Sequence, residues 1–94
     1  TLISKNMRPS IESNMHLKIY RKYPEVKAII HAHPPIASSF AVSNKKLNIK
    51  LIAEAYAILR KVSFAKYALM GTEELADNVV NSFQNNTKCV IMEN

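Results

Sequence analysis

Apolar and polar positions change period several times along the chain, and each change marks an element. From Ser10 to Tyr23 the apolar residues Ile11, Met15, Ile19 and Tyr20 recur at helical spacing; Ser10 is placed to cap the helix after Pro9, and Pro24 ends it. "EVKAIIHAH" (25–33) is short and rich in β-branched residues, which predicts a strand buried on both faces at Ala28, Ile29 and Ile30. Pro34 and Pro35 forbid its continuation in a paired ladder. "PIASSFAVSN" predicts a short helix beginning near the prolines, and Asn44, Lys45 and Lys46 a loop. In "KLIAEAYAILRKV" the residues Leu51, Ile52, Ala55, Ile58 and Leu59 form one helical stripe, and "VSFAKYALM" alternates as a strand does. "GTEELADNVVNSFQNN" gives the clearest helical pattern: Thr72 as cap, Glu73 and Glu74 at the positive end, and Leu75, Val79 and Phe83 four apart. "KCVIME" closes as a buried strand. Helices alternating with strands, without a repeat, a low-complexity tract or an interior linker, predict one α/β unit.

Chemistry concentrates where the first predicted strand ends. In "AIIHAHPP" the residues His31 and His33 are two apart, so on a strand they project from one face with Cα atoms about 6 to 7 Å apart. Such a pair suits two imidazoles converging on one metal ion, and equally a pair of hydrogen-bonded structural histidines. Its place before a chain reversal at the end of a buried strand favours function. Glu12 and His16 share a face of the first predicted helix. A carboxylate near two imidazoles can serve as a third ligand or as a general base, and Glu12 can also be a plain helix-start acid; His16 reads as a packing residue between helix and strand.

Composition narrows the classes. The chain has 94 residues, 48% apolar and 21% charged, the balance of a folded globular domain. At that size the core is modest and stability is often supplemented by neighbouring structure, so the chain can be a piece of something larger. The longest apolar stretch, 28–44, contains two histidines and two prolines, which excludes a membrane span, and "TLISKNMRPS" lacks the apolar core and cleavage site of a secretory signal. The single cysteine, Cys89, reads as a small core residue, and a reducing, cytoplasmic setting fits it. The net charge of +6 raises nucleic acid as a partner, but Arg21-Lys22, Lys45-Lys46 with Lys50, and Arg60-Lys61 are short, separate groups without interleaved aromatics, so solvated faces are the better reading.

Three segments together carry a family resemblance. "RPSIESNMHLKIYRKYPEVKAIIHAHPP", then "KYALMGTEELADNVVNSF" and "KCVIMEN", resemble the class II aldolase/adducin family across essentially the whole chain. The P-S-x-E…H…I-Y run, the H-x-H after a strand and the G-T-E-E-L-A that opens a helix are jointly specific.

The resemblance implies a three-layer α/β/α fold with a central, mainly antiparallel sheet, here incomplete at both ends: residues 1–94 would be a single partial domain. It implies a divalent metal, usually zinc, on His31 and His33, Glu12 as acid/base, and Ser10 as a contact to the substrate phosphate. The reaction implied is retro-aldol cleavage of a phosphorylated ketose, of the fuculose-phosphate aldolase type, through a metal-stabilised enediolate. A sugar-phosphate 4-epimerase, a methylthioribulose-phosphate dehydratase and a non-enzymatic adducin-like interaction domain are the alternatives. A cytoplasmic homo-oligomer, a tetramer, with active sites near subunit contacts follows from the same source. This chain departs from the family pattern at named places. Ile11 stands where a second phosphate-binding serine is usual, Ile52 aligns with an assisting tyrosine while Tyr56 lies off register, and the third metal histidine would come one residue beyond Asn94. The family's Gly-Asn-x-Ser and Thr-Gly phosphate segments would precede Thr1. By this reading the fragment alone is inactive.

Overall fold

Met15 and Ile19 lie one turn apart, as do Leu75 and Val79, and the two pairs meet as the centre of the molecule. A computed structural model describes residues 6–43, 45–51, 53–84 and 86–93; Asn44 of the predicted loop, Ile52 of the predicted stripe and Asn94 lie outside them. The helices are α1 (Ser13–Lys22), α2 (Pro35–Ser43), α3 (Ala53–Leu59) and α4 (Glu73–Ser82); a 3-10 turn, Ile49–Leu51, precedes α3, and the strands are β1 (Val62–Ala65) and β2 (Cys89–Met92).

α1 and α4 pack side by side and point the same way. Met15, Ile19, Leu75, Ala76, Val79 and Val80 are all buried between them and the sheet, joined by Ala65 and Ala68. Along the rim of this contact the polar side chains pair at the same four-residue spacing on both helices. Asn14 Nδ2 donates to Glu73, Lys18 Nζ bridges Glu73 and Asp77, and Lys22 Nζ donates to Asn81 Oδ1 at 2.9 Å. The Tyr23 hydroxyl closes the far end by donating to the Val80 carbonyl at 3.1 Å.

α4 begins as its sequence predicts: the Thr72 hydroxyl accepts the Leu75 N–H at 3.2 Å, and Glu73 and Glu74 occupy the first turn. α1 begins later than predicted. The Ser10 hydroxyl accepts the Glu12 N–H at 3.2 Å and the Ser10 carbonyl accepts the Ser13 N–H at 3.0 Å, so Ser10 forms a turn ahead of the helix and Glu12 is the residue at its cap. A serine two residues before the cap satisfies these amides by local bonding.

β1 and β2 form the one ladder among the described residues, parallel, with Val62 opposite Cys89 and Ala65 opposite Met92. The resemblance led us to expect a mainly antiparallel sheet; this pair is parallel because α4 is a crossover connection that returns the chain in the same direction. β1 is also shorter than "VSFAKYALM" suggests. The chain leaves the ladder after Ala65, buries Ala68 and turns at Leu69–Thr72, where the Thr72 N–H donates to the Leu69 carbonyl at 3.2 Å.

Two further expectations are corrected. Residues 25–33 are not a paired strand, and they are not buried on both faces: Ala28 is exposed, Ile30 is 93% exposed, and only Ile29 reaches the core cluster. Two-sided burial needs a covering layer on each face and a hydrogen-bonded neighbour, and this segment faces β2 across a cleft instead. The α3 stripe is not core either. No α3 residue is buried and Ile58 is 63% exposed, because α3 packs chiefly on the 3-10 turn before it. β2 is half-buried at all four positions. Among the described residues no helix is long and apolar enough to cross a membrane.

Candidate metal and acid–base site

The prolines that stop the 25–33 segment also start α2, so His31 and His33 are held just ahead of a helix whose first turn is fixed by Pro34 and Pro35; the Ser38 N–H donates to the Pro34 carbonyl at 2.9 Å. The two rings lie with centroids 5.1 Å apart and planes at 34°. His33 is exposed and His31 half-buried. The His31 Nε2 is shut away from solvent with no hydrogen-bond partner, an arrangement found for this side-chain atom alone among the described residues. A buried ring nitrogen without a partner is costly and calls for an occupant.

Beside the pair lies a cleft of about 260 Å³ between the 29–34 segment, α1 and β2. His16 projects into it from α1, with its ring centroid 6.1 Å from that of His31. Burial, foremost, and then the neighbouring His33 and His16 push the His31 imidazole below its ordinary pKa, while the charge of Glu12 works in the opposite direction. A neutral imidazole is the form that ligates a cation, and nothing else bonds to His31 Nε2, so the residues present suit a divalent metal held by two nitrogens with positions left open.

Glu12 stands near this pair without joining it. Its Oε1 accepts the backbone N–H of Gly71 at 3.1 Å, which ties the start of α1 to the turn before α4. Among the described residues no group of three or more His, Cys, Asp or Glu side chains is gathered closely enough to hold an ion. Ser10 is exposed, and its hydroxyl already accepts the Glu12 N–H, so it shares the Glu12 corner and not the cleft. Burial pushes the Cys89 thiol up, keeping it protonated where it lines the cleft, in agreement with a packing role.

Sequence reasoning passed over Gly71 and gave His16 a packing role only. Gly71 had a signal, since it is the chain's single glycine and stands directly before the Thr72 cap. For His16 the signal was its helical spacing from Glu12, which indicated a shared face but not the neighbour across the cleft.

Comparison with known proteins finds a family and several relatives for this chain. The family described as "Class II Aldolase and Adducin N-terminal domain" matches residues 1–94. An L-fuculose phosphate aldolase of Methanococcus vannielii is 42% identical over 72 residues, which are 77% of this chain and 39% of that protein. A 5-deoxy-D-ribulose 1-phosphate aldolase of Bacillus thuringiensis is 37% identical over 79 residues, 81% of this chain and 35% of that protein. A probable L-ribulose-5-phosphate 4-epimerase of Mycoplasma pneumoniae is 28% identical over 93 residues, 98% of this chain and 36% of that protein. The chain therefore spans under two fifths of the length of these curated relatives.

Proposed function

The chain belongs to the class II aldolase and adducin family, and on that premise we propose that it is part of a metal-dependent aldolase cleaving a phosphorylated ketose. The observation that carries the reading is the His31–His33 pair, rings 5.1 Å apart, with a buried Nε2 that no protein group satisfies. His31 and His33 would hold a divalent cation, zinc first among them. When bound, it supplies a Lewis acid that draws electrons from a substrate carbonyl, the part a Schiff-base lysine plays elsewhere.

This chain's own residues supply the rest. Breaking the bond between the carbon beside the carbonyl and the hydroxyl-bearing carbon beyond it releases an aldehyde as that hydroxyl gives up its proton to solvent, and leaves an electron pair on the carbon beside the carbonyl. A proton must come to that carbon to give a three-carbon ketone phosphate. Glu12, anchored at the edge of the site, is the group that carries it. Ser10, at the same corner, is the phosphate contact. His31, held neutral by burial, presents its nitrogen without first losing a proton.

The test is cleavage of a panel of phosphorylated ketoses by the protein that carries this chain, before and after chelation. Activity lost with the metal and restored by zinc supports the reading. Full activity in a preparation that elemental analysis shows to be metal-free would refute it. A 4-epimerase is the second reading, favoured by the relative that matches 93 residues. Product analysis separates the two, since an epimerase returns an inverted sugar phosphate and releases no aldehyde.

Around this site we propose that residues 1–94 are a single partial domain of a three-layer α/β/α fold, inactive without the rest of the family ligand set. The whole protein would be a cytoplasmic homotetramer without a nucleic-acid or membrane partner. Sedimentation of the active protein checks the assembly, and an active monomer at all concentrations would contradict it.

A further inference from the structure

α2 carries three serines, and two of them satisfy their hydroxyls within the helix. Ser39 Oγ donates to the Pro35 carbonyl at 2.9 Å and Ser43 Oγ to the Phe40 carbonyl at 3.4 Å. Such back-bonding is the usual resort of a serine inside a helix. Ser38 makes no such bond among the described residues; it is half-buried and lines the cleft beside the imidazole pair. The side chains of that lining are apolar apart from His16, His31, His33, the Cys89 thiol and Ser38, so Ser38 alone brings a hydroxyl to the cleft.

The chain also fixes where that hydroxyl stands. The Ser38 N–H donates to the carbonyl of Pro34, the residue after His33, at 2.9 Å, and the two prolines set the first turn of α2. Imidazoles and hydroxyl are therefore carried by one corner of the chain. α2 packs in turn on β2, the opposite wall of the cleft.

We propose that Ser38 is a positioning residue of the metal site: its hydroxyl holds, by a hydrogen bond, a water in the cleft that shares the cation with His31 and His33. The inference rests on the reading of the imidazole pair as metal ligands. Two nitrogens fill only part of the coordination sphere of a divalent ion, and small oxygen ligands take open positions. A water becomes ordered when it has two or more polar partners, and in a lining this apolar they are few. A serine hydroxyl rotates to donate to that water or to accept from it, as the ion requires. Groups that orient a metal's ligands in this way contribute to affinity although they never touch the ion.

The test uses the protein that carries this chain, with the metal alone as ligand, in the wild type, Ser38→Ala and Ser38→Thr. Zinc affinity is measured by competition with a chromophoric chelator. Cobalt(II) is then put in place of zinc, because its visible bands respond to the number and geometry of its ligands. Thermal melting of each metal-free variant checks the fold. Ser38→Ala should bind zinc about tenfold more weakly, the usual effect of removing such a partner, and should change the cobalt bands. Ser38→Thr keeps the hydroxyl and should stay near the wild type in both, a rescue that a packing role would not give. Affinity and bands unchanged in Ser38→Ala would overturn the proposal, as would a normally melting Ser38→Thr that behaved like Ser38→Ala. A wild type that bound neither metal would overturn the metal reading and this inference with it, whereas equal binding by all three proteins would overturn this inference alone.

Discussion

Gly71→Ala is expected to destabilise the chain by about 1 to 3 kcal/mol, the usual cost of a side chain in a left-handed backbone position together with a steric overlap. The overlap is with the end of Ile11, which is 64% exposed and can move aside. In an Ile11→Ala background the same substitution should therefore cost less, retaining the backbone part alone. Urea denaturation of the four variants checks both halves; equal costs in the two backgrounds would show that Ile11 is not what the turn accommodates. The residues of the site differ in how far the sequence disclosed them. His31 and His33 are nominated by their two-residue spacing, and Glu12, which its spacing from His16 leaves open between a ligand, a general base and a plain helix-start acid, by the family resemblance. That Gly71 meets Glu12 could not be read from the sequence, since 59 residues separate them and no periodicity encodes such a contact.

The helices owe their legibility to local causes as well. α4 has its cap, its acidic first turn and its apolar stripe within the twelve residues from Thr72 to Phe83, and all three appear in the structure. Thr72→Ala should cost about 1 kcal/mol and Thr72→Ser little, because the serine hydroxyl can still accept the Leu75 N–H. A calorimetric melt that placed Ala and Ser together would show that the cap contributes nothing. The strand predicted at 25–33 failed for a non-local reason: β-branched composition favours extended backbone, but a strand also needs a paired neighbour, and none of the described residues supplies one. The α3 stripe failed in the same way, having a pattern but no opposing surface.

Between helices, the Lys18 bridge makes a pH prediction. The Lys18 ammonium, and after it the Asn14 amide, holds the Glu73 carboxyl below its ordinary value of 4.5, while Asp77 and then Glu73 hold Lys18 above its ordinary 10.5. The carboxylate's contribution is therefore complete above the ordinary value and lost as pH falls through the lowered one. The ammonium's contribution is complete below 10.5 and lost as pH rises through the raised one. The groups are exposed, so the effect is small and weakens with salt. Lys18→Gln should flatten the acid limb of a stability–pH curve at low ionic strength; an unchanged limb would assign it to other carboxylates.

At the scale of the whole molecule, one core joins α1, α4 and the β1–β2 ladder, and the imidazole pair lies beyond its edge, facing β2 across the cleft. The α/β class was readable from alternating periods. The parallel direction of the β1–β2 ladder depended on which strand the α4 crossover rejoins, which the periods do not specify. The proposed function rests on a division of labour: His31 and His33 would hold the cation, and Glu12, tethered to Gly71, would move the proton. The most direct test is the metal content of purified His31→Ala and Glu12→Gln, made in the protein that carries this chain and assayed for cleavage in the same preparations. His31→Ala should lose metal and activity together. Glu12→Gln should keep its metal at the wild-type level while turnover falls by roughly 10²- to 10⁴-fold, the usual share of a positioned acid/base. If Glu12→Gln lost its metal as completely as His31→Ala, the carboxylate would be a ligand and the division of labour would be wrong.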